Sequence, residues 1–566
     1  MKHFGVEKFK GLLFASTLAV AVEFLMTLTD SVVGGHLLGE QALAGIGLAN
    51  AQSTLITFLS MLLGAGTAIN FSRETGRFDA VRARQFFSQG VGSALLLGGG
   101  LMVVLWLGRE SFLSFMNPAE EIRQHAAAYW NGNLLTAISG PLYVVLMECV
   151  QADGGARHCM IAAIVQLTVN VVCALLFCWA GLGAAGLSLA TALADMCAVI
   201  VLAGHFRAAS NTLRLQWHFS FRDLGQIIKT SFGDAATMLG TTAFALVLSK
   251  FVLSRFGSEA LPAAAAALLT FEMSVALDGV SSAISPVVSV YFGEGNTRSI
   301  REVMRAAMRV SLIEGLIFAV LFGVFPNLVV GMCGIDDAAV VPLAKTAVRC
   351  VACSFPFTAL VVLLNSYYLF VEHEELSAGL TFFKYLFCDI PFLIVGGLLF
   401  GFTGAFVGIA VAPYIAMGGV ALFLSLRYGR GMVLLMLPRD REANLSVFNL
   451  TLEPQQIVAT SESVAETLRA AGQPERVASR AALIVEEAFM VVRDRNKGRR
   501  ILGEVTLDLN DGVKLILRDD GEIFDITDAD AAAVSLRAYL VATLMANQRY
   551  RRNLTTSGFN RNIFRL

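Results

Sequence analysis

Long apolar segments are the feature that most constrains what this chain can fold into. Across the first three quarters of its 566 residues, runs of about 20 or more apolar residues recur, each long enough to cross the roughly 30 Å hydrocarbon core of a bilayer. Charged residues make up only 15% of the chain, whereas an ordinary soluble protein has about 25%. The sequence therefore predicts a polytopic membrane protein.

We predict an all-α membrane region with twelve transmembrane helices in two six-helix bundles, followed by a C-terminal α+β cytoplasmic domain. Residues 1–215 form the first bundle, called the N-lobe, and residues 216–432 form the second, the C-lobe. Residues 444–566 form the cytoplasmic domain, called the tail. The predicted spans are residues 11–37, 42–71, 86–108, 126–150, 159–180, 184–206, 226–254, 262–292, 308–330, 343–371, 376–400 and 403–427.

Basic residues cluster in alternate loops, which predicts the orientation of the chain. Because Lys and Arg are enriched in cytoplasmic loops, both termini are predicted to be cytoplasmic. The basic residues on that side are Lys2, Lys8 and Lys10 before the first span, Arg73, Arg77, Arg82 and Arg84 after the second, Arg207, Arg214, Arg222 and Lys229 after the sixth, and Arg298, Arg301, Arg305 and Arg309 after the eighth.

The two lobes also resemble each other in sequence. Three pairs of segments match in the same order at nearly one offset, which favours duplication over chance similarity. Two bundles of the same orientation predict a parallel repeat with a central cleft, as alternating access requires. The pairs are residues 44–76 with 264–296, 139–155 with 354–370, and 181–195 with 401–415.

Two carboxylates lie within the first apolar run. Glu23 and Asp30 are seven residues apart, so they share one face of a helix. A charge facing lipid costs a few kcal/mol, so both should point into the bundle or a wet cavity. There they could exchange a proton or hold Na⁺, or they could be static hydrogen-bonded struts between helices.

Other polar residues in apolar segments are also candidates for binding a proton or Na⁺. Asn170 and Asp195 belong to the N-lobe and could line the same cavity as Asp30. Glu272 falls in the middle of the eighth predicted span, which makes it the best ionisable candidate of the C-lobe.

The remaining charged residues of the spans have more ordinary interpretations. Lys384 and Asp389 could pair loosely, or Lys384 could extend to the membrane interface. We expect Asp153 and Asp234, near span ends, to meet water. The nine cysteines lie almost wholly in apolar segments and are interpreted as small buried hydrophobes, so no metal site is predicted.

Several motifs resemble those of the MATE (multidrug and toxic compound extrusion) family. Asp30 with the following "GGHLLGEQALAGIGLANAQ" resembles the family's first signature, and "VYFGEGNTRSIREVMRAAM" resembles its segment after span eight. "ECVQADGGARHCM" is similar to the turn after span four, and "QLTVNVV" with "GLGAAGLSLAT" is similar to spans five and six. The resemblance covers roughly residues 10–430 in the family's order.

The resemblance implies a two-lobed exporter driven by ion binding in the N-lobe. It places the family's span-one coupling acid at Asp30 and its cavity asparagine at Asn170. Some members have an acid four residues after that asparagine, where this chain has Ala174. Some also have a span-seven glutamate that this chain lacks. Coupling could therefore be reduced, or could use Glu23, Asp195 or Glu272, and the choice between H⁺ and Na⁺ stays open.

The tail has the composition of a water-exposed domain. Its pattern predicts a strand at 445–452, helices at 455–471 and 474–495, strands at 501–510 and 512–520, a helix around 535–550 and an edge strand at 560–566. This order predicts an α+β domain of ordinary size.

The order resembles the GHKL-type ATPase fold of the anti-sigma-factor serine kinases. Glu487 matches the family's helix motif, and Asp520 and Gly521 match its nucleotide loop "DDGEIFD". In working members a helix asparagine binds Mg²⁺, but here that position is Val491, which cannot bind a hard cation. The lid segment "AVSLRAYLVATLM" has no glycine to let backbone amides approach phosphates. We therefore predict a non-catalytic domain that binds a protein partner, or a nucleotide weakly.

These observations predict a cation-coupled (H⁺ or Na⁺) secondary active efflux transporter for drugs or amphipathic metabolites, and not an enzyme. It would be a multi-pass protein of the cell (inner) membrane that binds an organic cation and uses no cofactor, ATP or nucleic acid. Two alternatives remain. A flippase for lipid-linked precursors should show cationic residues in the cleft, and a membrane-anchored sensor should signal through the tail.

Overall fold

The N-lobe is a bundle of long helices. In the computed structural model each of the twelve predicted spans contains helix. The structure describes residues 3–33, 38–116, 119–208, 211–335, 337–428, 434–437, 442–510, 512–522, 536–545 and 559–566. The N-lobe helices are α1 (Phe4–Val33), α2 (Glu40–Gly76), α3 (Ala80–Met116), α4 (Glu120–Asn133), α5 (Thr136–Ala152), α6 (Ala156–Trp179) and α7 (Gly183–Ala203).

The C-lobe has a matching set of helices, several of them broken. Within the described residues, nine helices are long and apolar enough to cross a membrane, or up to ten if the bent α4–α5 pair counts as one span. The C-lobe helices are α8 (Phe221–Phe256), α9 (Leu261–Glu272), α10 (Gly279–Glu294), α11 (Thr297–Val324), α12 (Asn327–Met332), α13 (Val340–Phe370), α14 (Glu374–Phe382) and α15 (Ile390–Tyr428).

The C-lobe contains three helix breaks. Two lie within a predicted span, and the third lies between two predicted spans. A 3₁₀ turn, Met273–Asp278, divides the eighth span between α9 and α10. A π-helical turn, Phe383–Asp389, joins α14 to α15. Within α15, Gly401 has φ of 70° and separates the last two predicted spans. Only glycine adopts this left-handed conformation without strain, so the residue type fits the break.

The described part of the tail consists of four antiparallel strands and three helices. The strands are β1 (Leu445–Thr451), β2 (Leu502–Asp508), β3 (Lys514–Asp519) and β4 (Asn560–Arg565), paired in the order β1-β2-β3-β4. The predicted strands are confirmed, with boundaries that differ by one or two residues. The helices are α16 (Pro454–Ala470), α17 (Glu475–Arg495) and α18 (Leu536–Met545).

Side chains alternate between the two faces of the tail sheet, as the strand period of two requires. Val505, Leu507, Leu515 and Leu517 belong to the apolar core formed with α16 and α17. The intervening residues of the three last strands are also buried. Both faces of the sheet are therefore covered, one by helices and the other by the membrane region.

The tail covers the end of the bundle where α2 and α10 finish, called the tail end. Here the two lobes touch backbone to backbone. A Cβ placed on Gly76 would lie 2.3 Å from the carbonyl oxygen of Val290, and one on Gly293 would lie 2.2 Å from that of Arg73. Glycine is required at both positions because any side chain would collide with the facing helix.

Polar contacts between the lobes reinforce this closure. Arg82 of α3 donates to both carboxylate oxygens of Asp223 on α8, at 2.9 and 2.6 Å. Asn70 of α2 donates to Thr230 Oγ1 at 3.1 Å. The buried Arg73 side chain donates to the carbonyls at the end of α13. The lobes are thus held together at the tail end.

We predict that Gly293→Ala destabilises the protein by about 1–3 kcal/mol, because the added Cβ has no room between α10 and α2. Gly100→Ala on α3 is the matched control, since a Cβ there meets nothing within 4 Å. The free energy of unfolding of the purified protein in detergent would measure both. Equal stability of the two variants would show that the lobes do not pack this closely.

Candidate functional site

The first two candidate residues lie on α1. The backbone of α1 is helical through both Glu23 and Asp30. Their side chains lie outside the described part of the structure, so their role in coupling stays a prediction.

Asn170 and Asp195 lie in one buried group of polar side chains between α5, α6 and α7, called the N-lobe polar cluster. Asn170 Nδ2 donates to Thr191 Oγ1 at 3.0 Å, and Thr191 is one helical turn from Asp195. Asp195 accepts hydrogen bonds from Ser139 Oγ and Gln166 Nε2, each at 2.9 Å. The structure therefore brings these two predicted residues together.

The chemistry of this cluster suits a small cation. Asp195 is only 4% exposed and Asn170 is fully buried. The partners just named for the Asp195 carboxylate are neutral. Asn170 Oδ1 has no hydrogen-bond partner among the described residues, and a buried amide oxygen without one is costly. Carboxylate, amide and hydroxyl oxygens are suitable ligands for a hard cation, and a carboxylate can also take up a proton.

Glu272 lies elsewhere. It is the last residue of α9, where the 3₁₀ turn begins, and its side chain is exposed. It belongs to the C-lobe and is not part of the N-lobe polar cluster. The structure does not bring it together with Asn170 and Asp195.

A second polar group in the C-lobe was missed by sequence reasoning. Asn365 of α13 donates to Thr237 Oγ1 at 3.3 Å and approaches Asp234 Oδ1 at 3.5 Å. Its Oδ1 accepts from Ser377 at 2.7 Å and from Thr381 at 3.1 Å. A lone asparagine in the apolar run "LVVLLNSYY" is the same signal that identified Asn170, so it could have been found.

Lys384 and Asp389 form a buried ion pair at 2.7 Å, with side chains 5% and 1% exposed. The π-helical turn explains it, because an i→i+5 helix places residues five apart on the same face. The pairing prediction is confirmed, and the prediction that Lys384 extends to the membrane interface is wrong. The ammonium also lies 5.1 Å from the ring centroid of Phe271.

The expectation that Asp153 meets water is also wrong. Asp153 is completely buried at the tail end of α5. It is held by His205 Nε2 at 2.8 Å and by the backbone N–H of Thr212 at 2.9 Å. This carboxylate fastens the linker after α7 to the bundle.

The predicted nucleotide positions of the tail are occupied by internal contacts. Glu487 accepts from Arg537 at 2.9 Å, and Val491 lies in the apolar core. Asp520 accepts from Lys8 of α1 at 3.3 Å and from the backbone N–H of Leu502 at 2.7 Å. Residues 523–535, which hold the rest of the predicted loop and the start of the lid, lie outside the described residues.

The neighbouring Asp519 is buried beneath Gly521. Its Oδ1 accepts from the Gly521 N–H at 3.0 Å and from Asn560 Nδ2 at 2.7 Å. Burial raises the pKa of Asp519 to about 7. Asp519 therefore has a structural role, because it joins β3 to β4.

Comparison with known proteins agrees with the two-lobed membrane fold. The chain is 27% identical over 361 residues to a probable multidrug resistance protein NorM of Pseudomonas syringae pv. tomato, covering 60% of this chain and 76% of that protein. A probable NorM of Pseudomonas putida is 25% identical over 348 residues, covering 57% and 71%.

Solved structures show the same fold at lower identity. An outward-facing multidrug resistance MATE family transporter of the MOP superfamily is 19% identical with a TM-score of 0.70, covering 75% of this chain and 98% of that one. The Vibrio cholerae MATE transporter VcmN in its bent form is 20% identical with a TM-score of 0.68, covering 75% and 97%.

The family model for MatE matches residues 15–176 and 235–395, one segment in each lobe. Together the two segments take in more than half of the chain. The chain therefore belongs to the MatE family of membrane transporters, and it is a transporter and not an enzyme.

Proposed function

We propose that this protein is a cation-coupled exporter of amphipathic organic cations in the cell (inner) membrane, with both termini in the cytoplasm. Family membership and the NorM relatives support export of drugs or metabolites. The N-lobe polar cluster is the observation that supports the coupling, because the buried Asp195 carboxylate lies in the same cluster as Asn170 Oδ1, which has no hydrogen-bond partner among the described residues.

Coupling follows from how a cation would change the energy of this cluster. A carboxylate in the bundle is costly while it is charged, and a bound proton or Na⁺ removes that charge. If the cation binds one access state more tightly than the other, it shifts the population toward that state. Asp30 on α1 and Asp195 on α7 are the proposed carboxylates, with Asn170 beside Asp195.

The buried Lys384–Asp389 ion pair of the C-lobe favours an exporter over a flippase. A flippase for anionic lipid-linked precursors needs cations in the cleft, and Lys384 was the candidate. Its ammonium is neutralised by Asp389 at 2.7 Å, so it offers little positive charge to an anionic headgroup.

We propose that the tail is a GHKL-like domain that has lost catalysis and regulates transport. Val491 replaces the magnesium-binding asparagine, and Glu487 is engaged by Arg537. The close contact of the sheet with the membrane region supports a regulatory role more than that of a free sensor. We expect no ATP turnover by this domain.

Transport in proteoliposomes would test the coupling. We expect Asp30→Asn and Asp195→Asn to lower gradient-driven efflux of a fluorescent organic cation by about tenfold or more, because neither amide can exchange a proton and neither carries the charge that holds Na⁺. Imposing a pH gradient or a Na⁺ gradient separately would identify the coupling ion.

The matched control for this experiment is Asp337→Asn. Asp337 is exposed, and its Oδ1 caps a turn by accepting from the N–H of Ala339 at 2.9 Å, a bond that asparagine can also accept. Full coupled efflux by both Asp30→Asn and Asp195→Asn would refute the proposed sites.

The pH dependence of tail stability would test the assignment of Asp519 as a structural acid. Its pKa is about 7 in the fold and about 4 in an unfolded chain. The unfolded state therefore loses the proton first, so tail stability should fall as pH rises from about 4 to about 7. Asp519→Asn keeps the Oδ1 acceptor and removes the charge.

We expect Asp519→Asn to weaken this pH dependence, to which Glu504 of β2 also contributes because burial raises its pKa to about 8, and to raise amide protection of β2 and β3 by about tenfold or more at neutral pH and above. Hydrogen exchange of the full-length protein, corrected for intrinsic rates, is the measurement. An unchanged pH profile in the variant would show that Asp519 does not titrate in the fold.

A further inference from the structure

The face of the tail sheet that meets the membrane region carries a row of charged residues. In register across the sheet, Glu504 of β2 lies opposite Arg518 of β3, and Arg518 lies opposite Arg561 of β4. Like charges directly opposite each other destabilise a sheet. The pair Arg518–Arg561 therefore needs negative charge from outside the two strands.

Glu504 of β2 pairs with Arg518, and Glu294, the last residue of α10, supplies negative charge to both arginines. Its Oε1 accepts from Arg561 Nη1 at 2.8 Å, and its Oε2 contacts the guanidinium of Arg518. All three side chains are fully buried. Two further bonds join this part of the C-lobe to β2, from Tyr291 to Glu504 at 3.1 Å and from Asn296 to Thr506 at 3.2 Å. The sheet and the C-lobe thus form one buried polar interface.

Arg561 also reaches the N-lobe. Its Nη2 donates to the carbonyl of Thr75 at the end of α2, at 2.7 Å. The ring of Phe78, in the loop after α2, lies 4.7 Å from the same guanidinium. One side chain of the tail therefore bonds α2 of one lobe and α10 of the other.

The start of α1 adds a second attachment between tail and N-lobe. Lys8 Nζ donates to Asp520 at 3.3 Å, and the Phe4 N–H donates to Asn449 Oδ1 at 2.7 Å. The rings of Phe4 and Phe559 meet edge to face at 5.3 Å. The tail is consequently fixed to both lobes through separate contacts.

These contacts surround the place where the lobes close. A Cβ on Gly76 would lie 2.9 Å from Gly293 Cα, and Thr75 and Glu294 are their immediate neighbours. Alternating access opens one end of the cleft while the other is closed. To open the tail end, α2 must part from α10, and Arg561 cannot stay bonded to both.

We propose that the tail is a clamp that holds the cytoplasmic end of the cleft closed through the contacts of Arg561, Arg518 and Glu294. The tail must undock for that end to open. This inference rests on the proposed transport function for its biological meaning. The clamp itself concerns only the equilibrium between the closed and open states of the tail end. The tail then sets how often the transporter reaches its inward-open state.

The clamp can be tested by the distance between the lobes in the full-length protein. Spin labels would be placed at Val81 in the N-lobe and Arg298 in the C-lobe, both exposed near the tail end. A noncanonical amino acid would carry each label because the chain has nine native cysteines. Pulsed electron spin resonance in nanodiscs then measures the populations of short and long distances.

We expect Glu294→Gln and Arg561→Met each to raise the population with the long distance by about tenfold. A chain ending at Leu437, which lacks the tail, should show the same shift. Arg500→Met is the control, since Arg500 is an exposed arginine of the same domain, and it should leave the distances unchanged.

Tail folding is checked separately by hydrogen exchange of β2 and β3, and Glu294→Gln leaves the sequence of the tail intact. Unchanged distances in Glu294→Gln, Arg561→Met and the shortened chain would overturn the clamp. The distance measurement does not depend on transport activity. A shift in these distances without gradient-driven efflux by the unmodified protein would therefore contradict the proposed function and still support the clamp.

Discussion

A charge placed inside this protein must find its partner within the protein, because the hydrocarbon core offers none. This constraint explains the buried ion pairs of the protein. Asp389 and Asp223 have resident cations, Lys384 and Arg82. The Lys384–Asp389 pair is fully buried, so removing one partner would leave a buried charge at a cost of about 3–5 kcal/mol, and we regard this pair as structural.

Asp195 is hydrogen-bonded to two neutral groups, Ser139 and Gln166, within the N-lobe polar cluster. The same cluster contains Asn170 Oδ1, which has no hydrogen-bond partner among the described residues. A mobile cation can bind such oxygen atoms and leave again, which a tethered lysine or arginine cannot do. We therefore propose coupling in the N-lobe and a structural role for the Lys384–Asp389 pair.

Hydropathy and periodicity are local properties, so the sequence was sufficient to predict helix in each span and the tail strands, and it grouped Asn170 with Asp195. It did not show the breaks at Met273–Asp278 and Phe383–Asp389. It failed where partners come from distant elements. Asp153 looked like a loop acid, yet His205 and Thr212 bury it. A different, local feature was also missed: the π-helical turn Phe383–Asp389, which aligns Lys384 with Asp389. The position of Glu294 between two arginines depends on sheet register and docking, and no pattern in α10 reveals either.

The tail interface follows the same constraint as the membrane interior. Burial lowers the pKa of Arg518 to about 10 and that of Arg561 to about 9, and raises that of Glu504 to about 8. Charges so strongly desolvated stay together only while the geometry is complete. The proposed clamp requires two discrete states of this interface, docked and separated, and packed interfaces commonly switch between discrete states.

The central claim, that carboxylates of the N-lobe exchange a coupling cation for the substrate, is tested most directly by equilibrium binding. The affinity of the purified protein for a fluorescent organic cation would be measured across a range of pH and Na⁺ concentration. We expect the affinity to fall as one of the two ions rises, and this dependence to be lost in Asp30→Asn. An affinity that is independent of both ions in the unmodified protein would contradict cation coupling.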